Sequence, residues 1–370
     1  MGFRSETAVL EQRRRHRRLA ASGYGPFVHT TDLVTPALLL DHGALSHNIS
    51  LMASRYPGHR LRPHVKAHKS TALARVQADA GHLGFTCATI REVEGMAAAG
   101  LGHDLLLANE VADARRLGAV AATGARVTLA VDSEFTIRAA ATGGVGEVVI
   151  DINVGLPRCG CSVEDCAKLA ELARSLGLTV RGVMGYEGHL MMVNEAEKQT
   201  RVDAAMALLL TAHERVGGAL ISAGGTGTHL ANSHVNEIQA GSYVLMDSQY
   251  AALAQGFRQA LFVEATVISA NRFARRPYAV ADAGLKAFGM DHGNPSLPHA
   301  DVWLCSDEHV TFAPHPDGPL AGVQVGDRVR LIPAHCDPTV AYHERYNVIA
   351  SSDTPSAAVI DVWPVDLRGW

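Results

Sequence analysis

Eight residues, RPHVKAHK at positions 62–69, gather Lys66, Lys69, His64 and His68 behind a proline that follows a short extended run. A lysine that is partly buried, or set among other cations, gives up its proton near neutral pH, as a Schiff-base nucleophile must. Taken alone, the octet fits a basic, solvated strand end better, so other stretches must decide. The segment DINVGLPRCG at 151–160 runs from an apolar strand into a Gly/Pro turn, where Arg158 can donate to a phenolate or a carboxylate. Next, AGGTGT at 223–228 follows another strand. Its glycines let backbone N–H groups approach an anion and its threonines add donors, so Gly225 and Thr226 read as part of a phosphate cradle. No Walker lysine accompanies it, so a nucleoside triphosphate is not implied. Gly241, Ser242 and Tyr243, again at a strand end, offer a second half to that cradle. Tyr186, Glu187 and His189 end a further strand with groups suited to acid/base work. Finally His335 and Asp337 stand two apart. In an extended segment they point to one side and can share a divalent ion, Mn²⁺, Mg²⁺ or Zn²⁺.

The elements that must position these groups form a rhythm. Apolar strands are expected at 35–41, 61–65, 84–88, 104–108, 126–131, 147–154, 179–186 and 219–223. Helical spacing lies between them, at 44–56, 70–81, 91–99, 163–176 and 195–216. Near-continuous apolar strands alternating with amphipathic helices mean a parallel sheet covered on its outside. Close to eight repeats without an open-sheet dinucleotide fingerprint predict an α/β (β/α)8 TIM barrel over 35–255. Such barrels carry their chemistry at the C-terminal ends of strands, where Lys66, Arg158 and the glycine loop fall. Beyond about Ala254 the rhythm gives way to short strands at 261–270, 278–283, 302–304, 328–332, 346–350 and 357–362. That texture predicts a smaller, mainly antiparallel β domain over 256–370, carrying His335 and Asp337. Residues 1–34 are read as an N-terminal arm. Its basic run EQRRRHRR at 11–18 suits a surface helix or a contact with a partner subunit.

Composition narrows the function classes. A net charge of −4 gives no reason to expect nucleic acid or an acidic membrane as partner. The six cysteines lack paired CxxC spacing and are read as reduced thiols. No apolar run approaches transmembrane length and the N-terminus has no signal-peptide core, so a cytoplasmic enzyme is expected.

Together these stretches resemble the fold-type III pyridoxal-phosphate enzymes, the alanine racemase-like barrel plus β domain. Within them the resemblance is to the D-threonine aldolase branch, which includes eukaryotic-type D-serine dehydratases and 3-hydroxy-D-aspartate enzymes. It runs from Thr35 to about Val348 and rests on seven ordered motifs. These are RPHVKAHK at 62–69, VGLPRCG at 154–160, GGTGT at 224–228, QAGSY at 239–243 with Met246 and Asp247, DAGLKA at 282–287, SDEH at 306–309 and HCDPTV at 335–340. The resemblance implies that Lys66 is the Schiff-base lysine and that Arg158 bonds the cofactor's phenolic oxygen. It implies that Gly225, Thr226, Gly241, Ser242 and Tyr243 hold the phosphate, and that His335 and Asp337 bind the metal with Asp307 nearby. Dehydratases of the family tend to carry His-x-Cys at the metal pair. Asp337 instead favours the aldolase side and a harder ion such as Mn²⁺. One position departs: aldolases of this type often read Tyr-His-Gly where this chain reads Tyr186-Glu187-Gly188.

The implied reaction is retro-aldol cleavage of D-threonine or a related D-3-hydroxy-amino acid to glycine and an aldehyde, in a homodimer. The hydroxyl proton would go to a metal-bound water, His64 or His189, with Tyr186 and Arg158 at the cofactor. Three other readings remain. They are dehydration of D-serine or 3-hydroxy-D-aspartate, a non-catalytic pyridoxal-phosphate carrier, and a metal-dependent barrel hydrolase using His64 and His68 as ligands.

Overall fold

The computed structural model describes residues 28–370, so the basic run at 11–18 lies outside the described residues. The chain forms two compact units. One comprises Ile49–Tyr243 with Asp366–Trp370, the other the described residues up to Asn48 with Val244–Val365.

In the first unit, Gly84–Cys87, Asp104–Leu107, Val127–Val131, Glu147–Ile152, Thr179–Gly185, Leu220–Ala223 and Glu237–Ile238 lie side by side in chain order as a parallel sheet. Most of their residues are buried, as a sheet covered on both faces demands. The covering helices start where local chemistry says they should. The side chains of Ser70, Thr89, Ser133 and Asn194 each accept from a backbone N–H in the first turn of the helix that follows. An eighth extended segment, 61–64, bonds to both edges of the sheet. Arg62 N–H and His64 N–H donate to Ile238 and Ala240 on one side, and Thr86 N–H donates to Pro63 on the other. The segment that carries Lys66 therefore closes the ring. It makes isolated bridges rather than a ladder because Pro63 has no N–H to give and the chain turns at Val65–Ala67.

The second unit is built on a mainly antiparallel sheet. The expected barrel range of 35–255 differs from what forms. Ala37–Asp41, fully buried, pairs antiparallel with Leu261–Asn271 and parallel with Arg345–Ile349. It belongs with the β unit, as does the chain from Val244 onward. A five-residue apolar run suits a buried strand of either kind, and only partners more than 200 residues away decide which. The pairing buries Leu39, Ile349, Val359 and Val362 in one cluster with Val28 and Leu33. The strand Val310–Pro314, unforeseen, bonds to both Tyr278–Ala281 and Ala300–Cys305. No helix among the described residues is long and apolar enough to cross a membrane.

Candidate active site

Lys66 sits in a single 3-10 turn, Val65–Ala67, just beyond the segment that closes the ring. The His64 ring caps that turn, its Nδ1 accepting from the Lys66 N–H at 3.4 Å. Burial first, then the charges of Lys66 and Lys69, hold the His64 imidazole well below its usual range, so it stays neutral. His68 is fully buried and its Nδ1 accepts from the Ser70 N–H, a structural role in the next helix cap. Lys69 pairs with the buried carboxylate of Glu92 at 2.5 Å. Of the two lysines, Lys66 is the one brought to the strand ends that matter. Its Nζ lies 5.7 Å from the centroid of the Tyr186 ring, and the Arg158 guanidinium lies 5.1 Å from that same centroid. Two cations from segments 92 positions apart thus meet on one aromatic face.

Arg158 is aimed by a tight excursion from the strand Glu147–Ile152. Gly155 and Gly160 both have positive φ, and a Cβ at Gly160 would lie 2.5 Å from the Asn153 nitrogen. The chain then returns, Cys161 N–H bonding to the Asp151 carbonyl. His189 packs over Gly155, where a side chain would meet its ring at 3.2 Å. Asp151, unnoticed in the sequence, carries a carboxyl raised well above the usual range by burial and then by the Glu110 and Asp132 charges, with Arg158 opposing. Among the six free cysteines, Cys159 is pushed up to about 11 by burial and by Glu110, so its thiol stays protonated.

The two glycine loops are packed against different neighbours and joined to each other. A Cβ on Gly225 would lie 2.7 Å from the Met191 methyl and 3.5 Å from the Tyr186 ring, and one on Gly241 would lie 2.8 Å from the His64 carbonyl. Thr226 Oγ1 accepts from the Tyr243 N–H at 3.0 Å, which ties the loops together and leaves the threonine with a proton to donate. The buried Tyr243 phenol is anchored by Gln77 at 3.0 Å, and Ser242 beside it is buried. Glu187 differs from the acid/base group expected at this strand end. It is fully buried, and its carboxylate accepts from the Gly224 N–H, the Thr228 hydroxyl and the Asn232 amide. Which side of the strand end it takes depends on donors 37 to 45 positions on.

In the β unit, His335 and Asp337 do not share an extended segment. His335 is extended, but the chain enters the helix Cys336–Tyr342 directly after it, putting Asp337 in the first turn. An acid followed by proline suits the start of a helix, which overrides the alternation argument. Cys336 is buried, its N–H bonded to Asp247 and its thiol 3.3 Å from Asp337 Oδ1. Opposite His335 stand two residues that the sequence reading missed. Asp291 Oδ2 is 2.7 Å from His335 Nδ1, and the His292 ring stacks on that of His335 at 4.1 Å. Their loop is docked through Gly289, whose N–H bonds to Thr339 Oγ1 and whose Cα abuts Pro338. Asp291, His292 and His335 have donor atoms close enough to hold one ion, a set that includes neither His64 nor His68. The only sequence signal for it was an Asp-His pair just before a glycine, Gly293. Asp307 lies in the turn after Ala300–Cys305, where its carbonyl accepts from the Lys286 N–H.

This geometry can be set beside known proteins. Residues 40–249 match the family described as alanine racemase, N-terminal domain, and residues 260–349 match a serine dehydratase domain. A 3-hydroxy-D-aspartate aldolase of Paracoccus denitrificans (strain Pd 1222) is 33% identical over 93% of this chain and 94% of its own. The chain belongs to the alanine racemase-like, fold-type III family. Within that family it resembles D-3-hydroxy-amino acid aldolases and dehydratases, which are lyases. The D-threonine aldolase from Filomicrobium marinum has a TM-score of 0.84 and 30% identity over 93% of this chain and 98% of that one. The D-threo-3-hydroxyaspartate dehydratase from Delftia sp. HT23 has a TM-score of 0.82 and 28% identity, over 93% and 100%. A cysteine-to-alanine mutant of such a dehydratase is described as metal-free. The family implies pyridoxal phosphate and an amino acid substrate. The residues present fit that cofactor: a lysine and an arginine on one ring, and the Thr226 hydroxyl, held by the Tyr243 N–H with its proton left to donate.

Proposed function

We propose that this chain is a pyridoxal-phosphate- and divalent-metal-dependent aldolase that cleaves D-threonine or a related D-3-hydroxy-amino acid to glycine and an aldehyde. The observation that carries the reading is the convergence of Lys66 and Arg158 on the Tyr186 ring. Bound at Lys66, the cofactor supplies an electron sink for the pair released when Cα–Cβ breaks. Lys66 is the amine that holds it. Arg158 donates to its phenolic oxygen, and Tyr186 packs beside both. Gly225, Thr226, Gly241, Ser242 and Tyr243 hold the phosphate, with the Thr226 hydroxyl as one donor. His64, kept neutral, adds no charge beside the lysine, and its Nδ1 holds the turn that presents Lys66.

His335 and Asp337 are the proposed metal ligands, with a homodimer as the working assembly. Asp291 supports the role of His335: a carboxylate on Nδ1 fixes the ring and leaves Nε2 for an ion. Because the Cys336 side chain is buried, imidazole and carboxylate remain as the donors, a pair that favours Mn²⁺ or Mg²⁺ over a thiolate-bound Zn²⁺. The ion's task is to lower the pKa of the substrate hydroxyl. Incubation with a chelator is expected to abolish turnover and Mn²⁺ to restore it. Activity indifferent to chelator removes His335 and Asp337 from the reaction.

Dehydration is the second reading, supported by the likeness of residues 260–349 to a serine dehydratase domain. Product analysis separates the two. With D-threonine, D-serine and 3-hydroxy-D-aspartate, glycine plus an aldehyde is the expected outcome for at least one substrate. A 2-oxo acid plus ammonia throughout would replace cleavage by elimination. Turnover of none, with the cofactor bound, would leave a carrier.

A further inference from the structure

We propose that Glu187 is the positioning residue of the phosphate site: its carboxylate braces the 224–228 turn from behind and takes no part in proton transfer to substrate. The proposal rests on the pyridoxal-phosphate reading above and goes beyond it, since that reading gives Glu187 no role.

The geometry is that of a brace. Glu187 follows Tyr186 directly at the end of the strand Thr179–Gly185, so the residue beneath Lys66 and Arg158 and the residue bonded to the glycine turn are neighbours in the chain. Its Oε2 accepts from the Gly224 N–H at 3.1 Å, while Oε1 accepts from Thr228 Oγ1 at 2.7 Å and Asn232 Nδ2 at 3.2 Å. All three groups donate to it, and the single Thr228 hydroxyl proton is directed to Oε1. The Thr228 oxygen is then left to receive the Gly225 N–H at 3.2 Å. One carboxylate thereby fixes the first two amides of the turn, one directly and one through a hydroxyl. Met191 supports the same turn, with its carbonyl 2.3 Å from where a Cβ on Gly227 would stand. A glutamine at 187 would present a donor to one of these donors and lose part of the set. An alanine would lose all of it.

The test compares two ligands that differ only by the phosphate. Affinities of cofactor-free wild type, Glu187→Gln, Glu187→Ala and Thr228→Ala for pyridoxal phosphate and for pyridoxal are measured by the visible absorption that forms with Lys66. Loss of one charge-assisted hydrogen bond corresponds to about tenfold. The expected result is pyridoxal phosphate binding weakened about tenfold or more in all three variants, pyridoxal binding unchanged within about twofold, and recovery in Thr228→Ser. Equal weakening for both ligands would mean that Glu187 merely supports the fold, and overturns the proposal. So does unchanged binding of pyridoxal phosphate, or full binding with turnover abolished, which would make Glu187 a proton-transfer group. Wild type that binds neither ligand instead overturns the cofactor reading itself, and this proposal with it.

Discussion

Lys66→Ala is expected to lose the visible absorption of lysine-bound pyridoxal phosphate, escape labelling by borohydride and fall in turnover by about 10³-fold or more, the scale of losing a catalytic proton-transfer group together with the covalent anchor. Lys69→Ala is the matched control. Its ammonium is engaged with Glu92, so its loss disturbs the start of the helix Ile90–Ala98 and not the Lys66 amine. The effect should therefore be confined to one of two lysines three positions apart. Retention of absorption and labelling in Lys66→Ala, or their loss in Lys69→Ala, would overturn the assignment. Tyr186 gives the assignment its geometric footing. Its ring receives Lys66 from the segment that closes the barrel and Arg158 from the far side of the sheet, and no local pattern requires the two to meet.

The second large effect falls on stability. Arg62 opens the same octet, yet its guanidinium is buried at the barrel interior, 2.8 Å from both Asp104 and Glu237. Arg181 meets the other oxygen of Asp104 at 2.7 Å, and Glu237 also accepts from Ser222. Removing one partner of a buried ion pair leaves an uncompensated charge. Arg62→Met is therefore expected to cost about 3–5 kcal/mol in urea unfolding at neutral pH. The pH dependence has a definite sign. Burial disfavours the Asp104 charge, but hydrogen bonds from Arg181 and Arg62 outweigh it and hold the carboxyl well below its usual range. A carboxyl depressed in the folded state contributes stability above its unfolded value, about 3.9, and loses that contribution as pH falls through the folded value. The difference between wild type and Arg62→Met should thus narrow below about pH 4. A constant difference from neutral pH to pH 3 would show that Arg62 acts by packing alone.

The two halves of the octet illustrate how much could be read from the chain. Element type was legible wherever it is a local property. The strands Gly84–Cys87, Asp104–Leu107 and Val127–Val131 are short apolar runs, and the helices after Ser70, Thr89 and Ser133 announce themselves by capping side chains. The glycine turns were legible for a similar reason, since positive φ at 155, 160 and 224 selects glycine locally. Lys66, Arg158 and the 224–228 turn were found because each lies just past a strand, and a parallel barrel puts all such ends on one face.

By itself the sequence determined the alternation of strands and helices, the barrel, the β unit after it and the residue types available for chemistry, all of which follow from short-range periodicity and turn chemistry. The tertiary structure decided what each charge faces. Arg62 became an interior ion pair because Asp104 and Glu237 arrive from 42 and 175 positions away. Glu187 turned into the glycine loop because its donors lie 37 to 45 positions on. Ala37–Asp41 left the barrel for partners near the other end of the chain, and His335 met Asp291 rather than an extended Asp337. In each case the stabilising term is a hydrogen bond or ion pair whose worth depends on burial, and burial is a property of the folded chain as a whole.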